Sequence, residues 1–437
     1  QERFTWISPP SFTPRILEIY NKEFELPNVA EGARASAIGK VTKKKDYVIK
    51  AEGKIICNVP IDVVTEGIRY EREKVAGKKE LVEPDLPEPE DYSKEIIDIL
   101  KHPNVASKAL VFKHYDTEVQ GLAVIRPGQA DAGVQAPIPG SSIGYALSVD
   151  CNPRYSRISS FWGAANAVAE SMRNVAAVGS VPSGMTDCLN YGNPEVPTAF
   201  NDFYEGVKGE KEAAENLFVK GTKDPCPFVS GNVSFYNESA AGKSVDPSAI
   251  IACVGVLPDY SKAITMKIKK PGSKLFMIGE RKDELGGSVY YENHGELGKN
   301  VPKVEYEKER ARIYAVIDAI NERLLLSCHD ISDGGMAAAV SEMILGGEAD
   351  GKIGAEISLG FSELRNDKIM FSESSGFVFE VNANDVDKVK KIMDKYKVEM
   401  IELGTTTKQD KLVIDNVTIH VEDLRRAWTT GFVEAMK

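Results

Sequence analysis

The stretch MTDCLNYGNPE (185–195) begins as an apolar strand and ends in a loop dense with Asp, Asn and Gly. FVSGNVSFYNES (228–239) and SCHDISDGGM (327–336) repeat this design at two later strand ends. Oxygen ligands at strand ends suit Mg2+, which usually bridges one or two protein oxygens to phosphates, and glycines expose backbone amides to a phosphate. Taken singly, each loop is more typical of a turn or a helix N-cap than of a metal site.

Around these loops, strands and helices mix without regular alternation. An alanine-rich helix is predicted over ISSFWGAANAVAESMRNVAAVG (158–179), where serines can cap its start and Gly179 can end it. A second helix, NDFYEGVKGEKEAAENLFVKG (201–221), and the strand SAIIACVGVL (248–257) follow. Because strict βαβ alternation is absent, the pattern favours an α+β fold with mixed sheets and packed helices over a doubly wound sheet.

An internal repeat is the clearest long-range signal. IGKVTKKKDYVI (38–49) and LGTTTKQDKLVI (403–414) align without gaps, and each continues into a further strand-like stretch. Each also follows an amphipathic helix candidate, TPRILEIYNKEF (13–24) in the first copy and NDVDKVKKIMDKY (384–396) in the second. The shared order favours duplication over a chance match. It predicts that roughly the first 67 residues resemble the end of a domain whose second copy closes the chain, most of the first copy being missing.

The sequence between the two copies gives the predicted domain boundaries. GKKELVEPDLPEPEDYS (77–93) is rich in proline and acidic residues, which is typical of a linker. We therefore predict the end of a first domain at 1–75, a linker at 76–108, a β-rich domain at 109–262 and a closing domain at 263–437.

Bulk composition excludes several classes of protein. A length of 437 residues allows two or three domains, and the net charge of -11 argues against a general nucleic-acid surface. No apolar run reaches the roughly 20 residues that span a bilayer, and no signal peptide opens the chain. These features predict a cytoplasmic protein without nucleic-acid or membrane partners.

Several familiar site motifs are absent or incomplete. The six cysteines form no CxxC pair, so reduced and buried cysteines are expected instead of a zinc ribbon. AAGKS (240–244) ends like a phosphate-binding P-loop, but Asn237 stands where a glycine is required and no strand leads into it. We interpret this stretch as an exposed loop.

Five motifs occur in the order seen in the formylglycinamidine ribonucleotide synthetase family, which the chain resembles over nearly its whole length. They are DCNPRY (150–155), GAANAVAESMRNVAAVGSVP (163–182), TDCLNYGNPE (186–195), SGNVSFYNES (230–239) and HDISDGG (329–335). The resemblance implies a pseudo-duplicated, aminoimidazole ribonucleotide synthetase-like fold and places this chain in the C-terminal portion of the family's protein. The implied domains are the end of a first synthetase C-terminal-like domain, then a second N-terminal-like, ATP-binding domain and a second C-terminal-like domain.

The resemblance also implies a reaction. Members of this family convert formylglycinamide ribonucleotide, ATP and ammonia to formylglycinamidine ribonucleotide, a step of purine biosynthesis. ATP activates the amide oxygen as an iminophosphate, and ammonia displaces the phosphate. The expected cofactors are ATP and Mg2+, and the expected partners are a glutaminase subunit that supplies ammonia and a small bridging subunit.

Five residues take implied roles from the family motifs. Asp187 and Gly231 are assigned to the nucleotide, and Asn232 to a magnesium ion. Ser234 and Gln1 are assigned to the substrate. The chemistry is reasonable, because Asn232 offers a neutral amide oxygen, Gly231 an unshielded backbone and Ser234 a hydroxyl group.

One departure from the family limits what this chain is expected to do alone. The family's paired catalytic histidines are absent, and VDCNPRY (149–155) stands at the corresponding place. We expect a chain that lacks the N-terminal catalytic half and is inactive by itself. The alternatives are a non-catalytic structural half, or another superfamily member such as a selenophosphate synthetase or a thiamine phosphate kinase. The duplication and the SGNVSFYNES motif count against the last two.

Several interpretations of the stretch HDISDGGM (329–336) remain open. The repeat places Asp330 and Asp333 in the second copy, away from the family's active site. They are candidates for a vestigial or structural site, or for a helix-capping turn. Whether an auxiliary structural nucleotide binds near them stays open at this point.

Overall fold

The computed structural model describes residues 3–67, 69–239 and 242–437. It divides into two compact units, 1–71 and 72–437. Gln1 therefore lies outside the described residues, as do the two alanines of the AAGKS loop.

The first unit is small, and none of its described side chains is buried. Its strands pair only with each other, as an antiparallel hairpin. A short π-helical turn (Ile19–Glu23) extends the first helix, so the helix predicted over 13–24 is confirmed. The elements are α1 (Thr13–Glu18), β1 (Asp46–Ala51), β2 (Lys54–Pro60) and α2 (Ile61–Glu66).

The second unit contains two sheets. The six-stranded sheet has the order β3-β4-β5-β8-β6-β7, and only β6 and β7 pair in parallel. Its strands are β3 (Ala123–Ile125), β4 (Gly133–Gln135), β5 (Gly144–Asp150), β6 (Val181–Asn190), β7 (Phe228–Ser234) and β8 (Ser248–Leu257). The helices of this part are α3 (Tyr92–Lys101), α4 (Ala109–Phe112), α5 (Pro153–Ile158), α6 (Ser160–Ala177) and α7 (Pro197–Asn216).

Helix α6 is the central helix of the part built around the six-stranded sheet. The Ser159 hydroxyl accepts a hydrogen bond from the backbone N–H of Trp162 and caps its start, as the serines predicted. Its alanine-rich body is buried and packs against β5, β8 and α7. Close packing requires small residues, because a Cβ added at Gly209 of α7 would clash with the carbonyl oxygen of Phe161.

The seven-stranded sheet has the order β10-β12-β9-β13-β11-β14-β15. Its strands are β9 (Lys274–Ile278), β10 (Leu325–Ile331), β11 (Gly354–Ile357), β12 (Gly376–Val381), β13 (Ile401–Thr407), β14 (Lys411–Ile414) and β15 (Val417–His420). Pairing is antiparallel except between β11 and β14. Its helices are α8 (Val289–Asn293), α9 (Tyr306–Asn321), α10 (Gly335–Leu345), α11 (Asn366–Phe371), α12 (Val386–Lys395) and α13 (Val421–Ala435). The predicted α+β class with mixed sheets and packed helices is confirmed.

The segment predicted as a linker contains helix α3. Asp91 caps its first turn, and Ile96, Ile99 and Leu100 are buried in the core that the seven-stranded sheet shares with its helices. The three-and-four spacing of these apolar residues is the helical signal that the neighbouring prolines obscured. The β-rich character predicted from residue 109 onward also begins later, since α4 precedes the short strands β3 and β4. The three boundaries between the four predicted segments remain predictions.

Two further features of the chain belong to the fold. Among the described residues, no helix combines the length and apolar character needed to cross a bilayer. All six cysteines are free, and Cys226, Cys253 and Cys328 are buried as predicted. Cys57, Cys151 and Cys188 are only half-buried, which differs from the prediction.

Candidate functional site

Strands β6 and β7 bring four of the proposed site residues together. In their parallel register, Asp187 lies opposite Gly231 and Cys188 opposite Asn232. The Asp187 Oδ1 accepts a hydrogen bond from the backbone N–H of Asn232 at 3.1 Å. The Asn232 Nδ2 in turn donates to the Ser234 Oγ at 3.2 Å. The fifth residue, Gln1, lies outside the described residues.

Gly231 has a specific steric reason to be glycine. A Cβ at this position would lie 2.6 Å from the Asp187 Oδ1, which is too close for any real side chain. The glycine thus allows the carboxylate of one strand to reach the backbone amide of the other. This contact could not be read from either motif alone, because the motifs are more than 40 residues apart.

The site is open to solvent on its outer side. β7 is the last strand of its sheet, and both Gly231 and Asn232 are exposed. Asp187 is half-buried, and this partial burial raises its pKa while the hydrogen bond from Asn232 opposes the rise. The arrangement can present a carboxylate, an amide and a hydroxyl to a ligand, but β6 and β7 alone cannot enclose that ligand.

The loops that follow the two strands hold each other in place. The Asn237 Nδ2 donates to the carbonyl oxygens of Ser234 and Tyr191 at 2.8 and 3.2 Å. The ring of Phe203, on α7, contacts Tyr191 and Phe235 edge to face, with centroid distances of 5.3 and 4.9 Å. The polar loop residues are therefore anchored to a packed aromatic cluster.

A second candidate site surrounds the stretch 329–336. A cavity of about 330 Å³ opens where the ends of β5 and β10 meet α6. Four of the carboxylates that line it are Asp150, Glu170, Asp330 and Asp333. We call this cavity the acidic pocket.

Burial and mutual repulsion perturb the carboxylates of the acidic pocket. Burial, with the nearby Asp330 charge, raises the pKa of Asp150 to about 8. Burial also raises the pKa of Asp330 and of Asp333 to about 6, and that of Glu170 well above its ordinary value. A bound cation would relieve this repulsion and favour the ionised carboxylates.

Two buried oxygen atoms of the acidic pocket make no hydrogen bond to any described residue. They are the Asp150 Oδ2 and the Asn174 Oδ1, although the Asn174 Nδ2 donates to the Asp150 Oδ1 at 2.7 Å. Glu170 and Asn174 are four residues apart on α6 and thus share one helix face. Carboxylate and amide oxygens are the ligands that hard divalent cations prefer, so the donor set fits Mg2+.

His329 lies at the edge of the acidic pocket between two carboxylates. Its Nδ1 contacts Asp131 and its Nε2 lies 3.2 Å from Glu342, which also accepts a hydrogen bond from the Trp428 indole. Burial alone would lower the pKa of His329, but Asp131 and Glu342 raise it well above its ordinary value. Asp131, His329 and Asp330 each offer one possible ligand atom, a carboxylate oxygen or a ring nitrogen. These three atoms lie within 4.8 Å of one another, close enough to contact a single metal ion. Since both ring nitrogens are engaged, His329 is better suited to a buried countercharge than to a ligand.

The helix-capping interpretation of Asp330 and Asp333 is wrong. Helix α10 has Gly334 at its N-cap and no side-chain cap, and the Gly334 N–H donates to the Glu373 Oε1 at 2.8 Å. Asp333 instead accepts from the Asn152 Nδ2 at 3.1 Å. Gly334 and Gly335 have φ values of 83° and 72°, so the double glycine makes a left-handed turn that leaves both carboxylates lining the acidic pocket.

Sequence reasoning missed Asp131, Asp150, Glu170 and Asn174. The Glu-x-x-x-Asn spacing within the predicted helix was a usable signal, because it places two oxygen ligands on one face. Asp150 also ends a strand, as the three polar loops do. Nothing in the sequence near Asp131 distinguishes it from a turn residue.

Comparisons with known proteins agree with the fold described above. The family description "AIR synthase related protein, N-terminal domain" matches residues 129–257, and "AIR synthase related protein, C-terminal domain" matches residues 270–415. The chain belongs to the AIR synthase related family. The first match contains the β6–β7 site, and the acidic pocket draws residues from both matched regions.

Curated relatives confirm the resemblance that the five motifs indicated. The phosphoribosylformylglycinamidine synthase subunit PurL of Methanothrix thermoacetophila is 50% identical over 443 residues, which cover all of this chain and 57% of the relative. The subunit of the same name from Methanocaldococcus jannaschii is 35% identical, over all of this chain and 58% of the relative. The chain thus spans a little more than half the length of these relatives.

Solved structures confirm the fold. The structure described as Thermotoga maritima PurL complexed with FGAR has a TM-score of 0.59 at 17% identity, covering 77% of this chain and 54% of that one. The complex of T. maritima PurL with ATP has a TM-score of 0.57 at 16% identity, covering 77% and 52%. At these identities the likeness shows the AIR synthase-like fold alone.

Proposed function

We propose that this chain is one portion of the ATP-dependent ligase that converts formylglycinamide ribonucleotide, ATP and glutamine-derived ammonia to formylglycinamidine ribonucleotide in purine biosynthesis. The observation that carries the proposal is the 50% identity, over the whole chain, to a subunit that bears this enzyme's name. The relatives' names favour this ligase over a selenophosphate synthetase or a thiamine phosphate kinase. We place the protein in the cytoplasm, with a glutaminase and a small bridging subunit as partners.

In this proposal the β6–β7 site contributes to ligand binding. Asp187 and the Gly231 backbone contact the nucleotide, Ser234 contacts the substrate, and Gln1 is a further substrate contact. The Asn232 amide oxygen and the neighbouring Asp187 carboxylate are the oxygen ligands that would hold Mg2+. The metal would neutralise phosphate charge while the substrate amide oxygen is phosphorylated. The hydrogen bond between Asp187 and the Asn232 backbone orients both groups before a ligand arrives.

Because the site is open on the outer side of β7, other residues are needed to enclose a ligand there. Catalysis needs a water-excluded cavity, whereas Gly231 and Asn232 are exposed. The chain also carries Cys151 and Pro153 at the place where the family resemblance puts paired histidines. We therefore propose that the remaining portion of the longer ligase supplies the missing wall and the proton-transfer groups.

Complementation tests this proposal. This chain is mixed with the part of the Methanothrix relative that it does not match, and ADP release is measured with and without formylglycinamide ribonucleotide and ammonia. We expect activity that depends on both substrates and falls at least about tenfold with Asp187→Asn. Asp224→Asn, in the exposed loop before β7, is the matched control and should leave the rate unchanged. Failure to recover substrate-dependent activity would contradict the proposal.

The acidic pocket supports a second, non-catalytic role. We propose that it binds a divalent cation together with a phosphorylated ligand, such as a structural nucleotide. Its support is the unpartnered Asn174 Oδ1 beside four carboxylates whose pKa values are raised by burial.

Manganese binding, followed by electron paramagnetic resonance with and without ADP, tests this second role. Glu170→Gln replaces a crowded carboxylate with a neutral amide, so we expect a weaker affinity for Mn2+ and, at high pH where the carboxylate would ionise, a higher Tm without metal. Glu215→Gln, on the exposed face of α7, is the control for both measurements. Equal Mn2+ affinity in Glu170→Gln and the unchanged protein would contradict the assignment.

A further inference from the structure

One face of the β6–β7 pair carries Asn190 in addition to the residues already placed in the site. Asn190 lies opposite Ser234 in the parallel register, just as Cys188 lies opposite Asn232. Alternate residues of a strand point to the same face, and register partners on a parallel strand share it. The contacts agree, because the Asn232 Nδ2 donates to the Cys188 Sγ at 3.7 Å and to the Ser234 Oγ at 3.2 Å. We call these four residues the amide patch.

A backbone carbonyl fixes the orientation of the Asn190 carboxamide. The Asn190 Nδ2 donates to the Cys188 carbonyl oxygen at 3.0 Å and to the Cys188 Sγ at 3.7 Å. Because a carbonyl oxygen can only accept, the nitrogen of the amide and not its oxygen must face it. Both hydrogens of the Nδ2 are therefore engaged, and the Asn190 Oδ1 is turned away from Cys188. Among the described residues, none donates a hydrogen bond to this oxygen.

The Ser234 hydroxyl adds a donor beside this acceptor. Its oxygen accepts from the Asn232 Nδ2, so its own proton remains able to bond to a ligand. The sulfur of Cys188 accepts from both amides of the patch and thus links the two strands. At the level of Asn190 and Ser234, the amide patch offers one amide oxygen from β6 and one hydroxyl proton from β7.

The backbone beneath this pair of groups is held in place. The Tyr191 N–H donates to the Ser234 carbonyl oxygen at 3.0 Å, and the Asn237 Nδ2 donates to the same oxygen at 2.8 Å. Asn190 is itself half-buried, between the buried side chains of Leu189 and Tyr191. The amide oxygen is therefore presented from a fixed strand end, as specific recognition of a small molecule requires.

We propose that Asn190 is a further substrate-binding residue, whose Oδ1 accepts a hydrogen bond from an amide N–H of formylglycinamide ribonucleotide. This inference rests on the proposed function, which assigns Ser234 to that substrate and Asn232 to the metal. Successive residues on one face of a strand are about 6.6 Å apart, so Asn190 and Ser234 bind the substrate about that distance from the metal ligand. The formamide and glycinamide groups of the substrate each carry an N–H and a carbonyl oxygen, which match the acceptor of Asn190 and the donor of Ser234.

N-methylated substrates test this hydrogen bond without any change to the protein. The chain is combined with the part of the Methanothrix relative that it does not match. KM is then measured for the substrate and for analogues methylated at the formamide nitrogen or at the glycinamide nitrogen. We expect one of the two methyl groups to raise KM by about tenfold, because it removes the donor and leaves the Asn190 oxygen unpaired. The analogue that is affected shows which N–H Asn190 binds.

Asn190→Ala separates the lost hydrogen bond from the bulk of the methyl group. The variant should raise KM for the natural substrate by about tenfold, while kcat and the KM values for ATP and ammonia stay unchanged. The methyl group that weakened binding to the unchanged protein should change KM of the variant by less than about twofold. Asn216→Ala is the matched control, because the Asn216 Nδ2 likewise donates to a carbonyl oxygen of its own segment, that of Glu212 at 2.7 Å.

The possible results distinguish this inference from the proposed function. It is overturned if neither methyl group changes KM, or if the methyl effect is equally large in Asn190→Ala and in the unchanged protein. A complex of the unchanged chain without any substrate-dependent rate would contradict the proposed function, and this inference with it. Thermal unfolding shows whether Asn190→Ala is folded, and the analogues tested on the unchanged protein decide the matter if it is not.

Discussion

The contact between Asp187 and the β7 backbone depends on the absence of a side chain at Gly231. Gly231→Ala would place a Cβ 2.6 Å from the Asp187 Oδ1 and displace the carboxylate. In the complemented ligase we expect nucleotide affinity to fall by about tenfold or more, with little change in Tm because β7 is an exposed edge strand. Fluorescent-nucleotide titration measures the first effect and thermal unfolding the second.

Gly184→Ala is the matched control for this substitution. Gly184 lies on β6 in the same sheet, and a Cβ there would meet its nearest atoms at an ordinary 3.7 Å. Equal nucleotide affinities for Gly184→Ala and Gly231→Ala would contradict the role given to the Asp187 contact.

The burial of Glu210 leads us to predict that the stability of the fold depends on pH. It is buried on α7, its Oε1 has no hydrogen-bond partner among the described residues, and burial with the Asp187 charge raises its pKa to about 8. The folded state therefore holds this proton to higher pH than the unfolded chain, whose Glu pKa is about 4.3. Stability is lost as the pH rises through this window and is lowest above about pH 8.

Glu210→Gln should remove this loss, because the amide is neutral at every pH. We expect the variant and the unchanged protein to be similar at pH 4, and the variant to be more stable by on the order of 1–3 kcal/mol at pH 9. Urea unfolding at both pH values measures the difference, with Glu215→Gln as the exposed control. An equal pH slope in all three proteins would mean that Glu210 is ionised in the fold.

At the level of elements, α3 supports the turn that carries the acidic pocket. A Cβ added at Gly334 would lie 2.7 Å from the Ile99 Cγ2, so the helix packs directly beneath the double-glycine turn. Ile99 is 1% exposed. Ile99→Ala should lower the free energy of unfolding by about 2–5 kcal/mol through the cavity it leaves.

The same substitution should loosen the turn and weaken Mn2+ binding to the acidic pocket. Urea unfolding and Mn2+ titration give the two effects, and Lys101→Ala, on the exposed side of α3, should change neither. If Ile99→Ala behaved like Lys101→Ala, α3 would be a covering segment without a structural role.

Buried polar contacts also join the elements. Arg173 on α6 forms ion pairs with Glu309 of α9 at 2.9 Å and with Asp330 of β10 at 3.4 Å. Removing one partner of such a buried pair leaves an uncompensated charge. These contacts fix α6 relative to the seven-stranded sheet, and thereby position Glu170 and Asn174 in the acidic pocket.

For the whole molecule, we expect the isolated chain to be catalytically inactive. The β6–β7 site has one open side, and the residues at 149–155 contain no histidine. With ATP, Mg2+, formylglycinamide ribonucleotide and ammonia, product formation by the chain alone should not exceed the rate without protein. A measurable rate of amidine formation, followed by product chromatography, would contradict this expectation.

Local sequence patterns predict part of this structure. The α+β class and helix α6 with its serine cap follow from spacing within short stretches. Asp187 and Asn232, predicted in loops after their strands, lie instead within the paired parts of β6 and β7. Helix α3 was missed, because its three buried apolar residues lie beside a proline-rich segment that dominated the interpretation. Asp330 and Asp333 of the stretch 329–336 line the acidic pocket, but neither side chain caps helix α10.

The sequence by itself determined where polar loops end strands, and which segments repeat. Only the tertiary structure decided which of those stretches share a site, because Asp187 and Asn232 are in contact but 45 residues apart. The raised pKa values of Asp150 and Asp330 likewise exist only where burial and mutual repulsion act together. The repeat shows the same division, because its two copies are alike in pattern but differ in pairing. Residues 404–407 pair with β9 and β11, whereas residues 38–42 pair with no strand among the described residues.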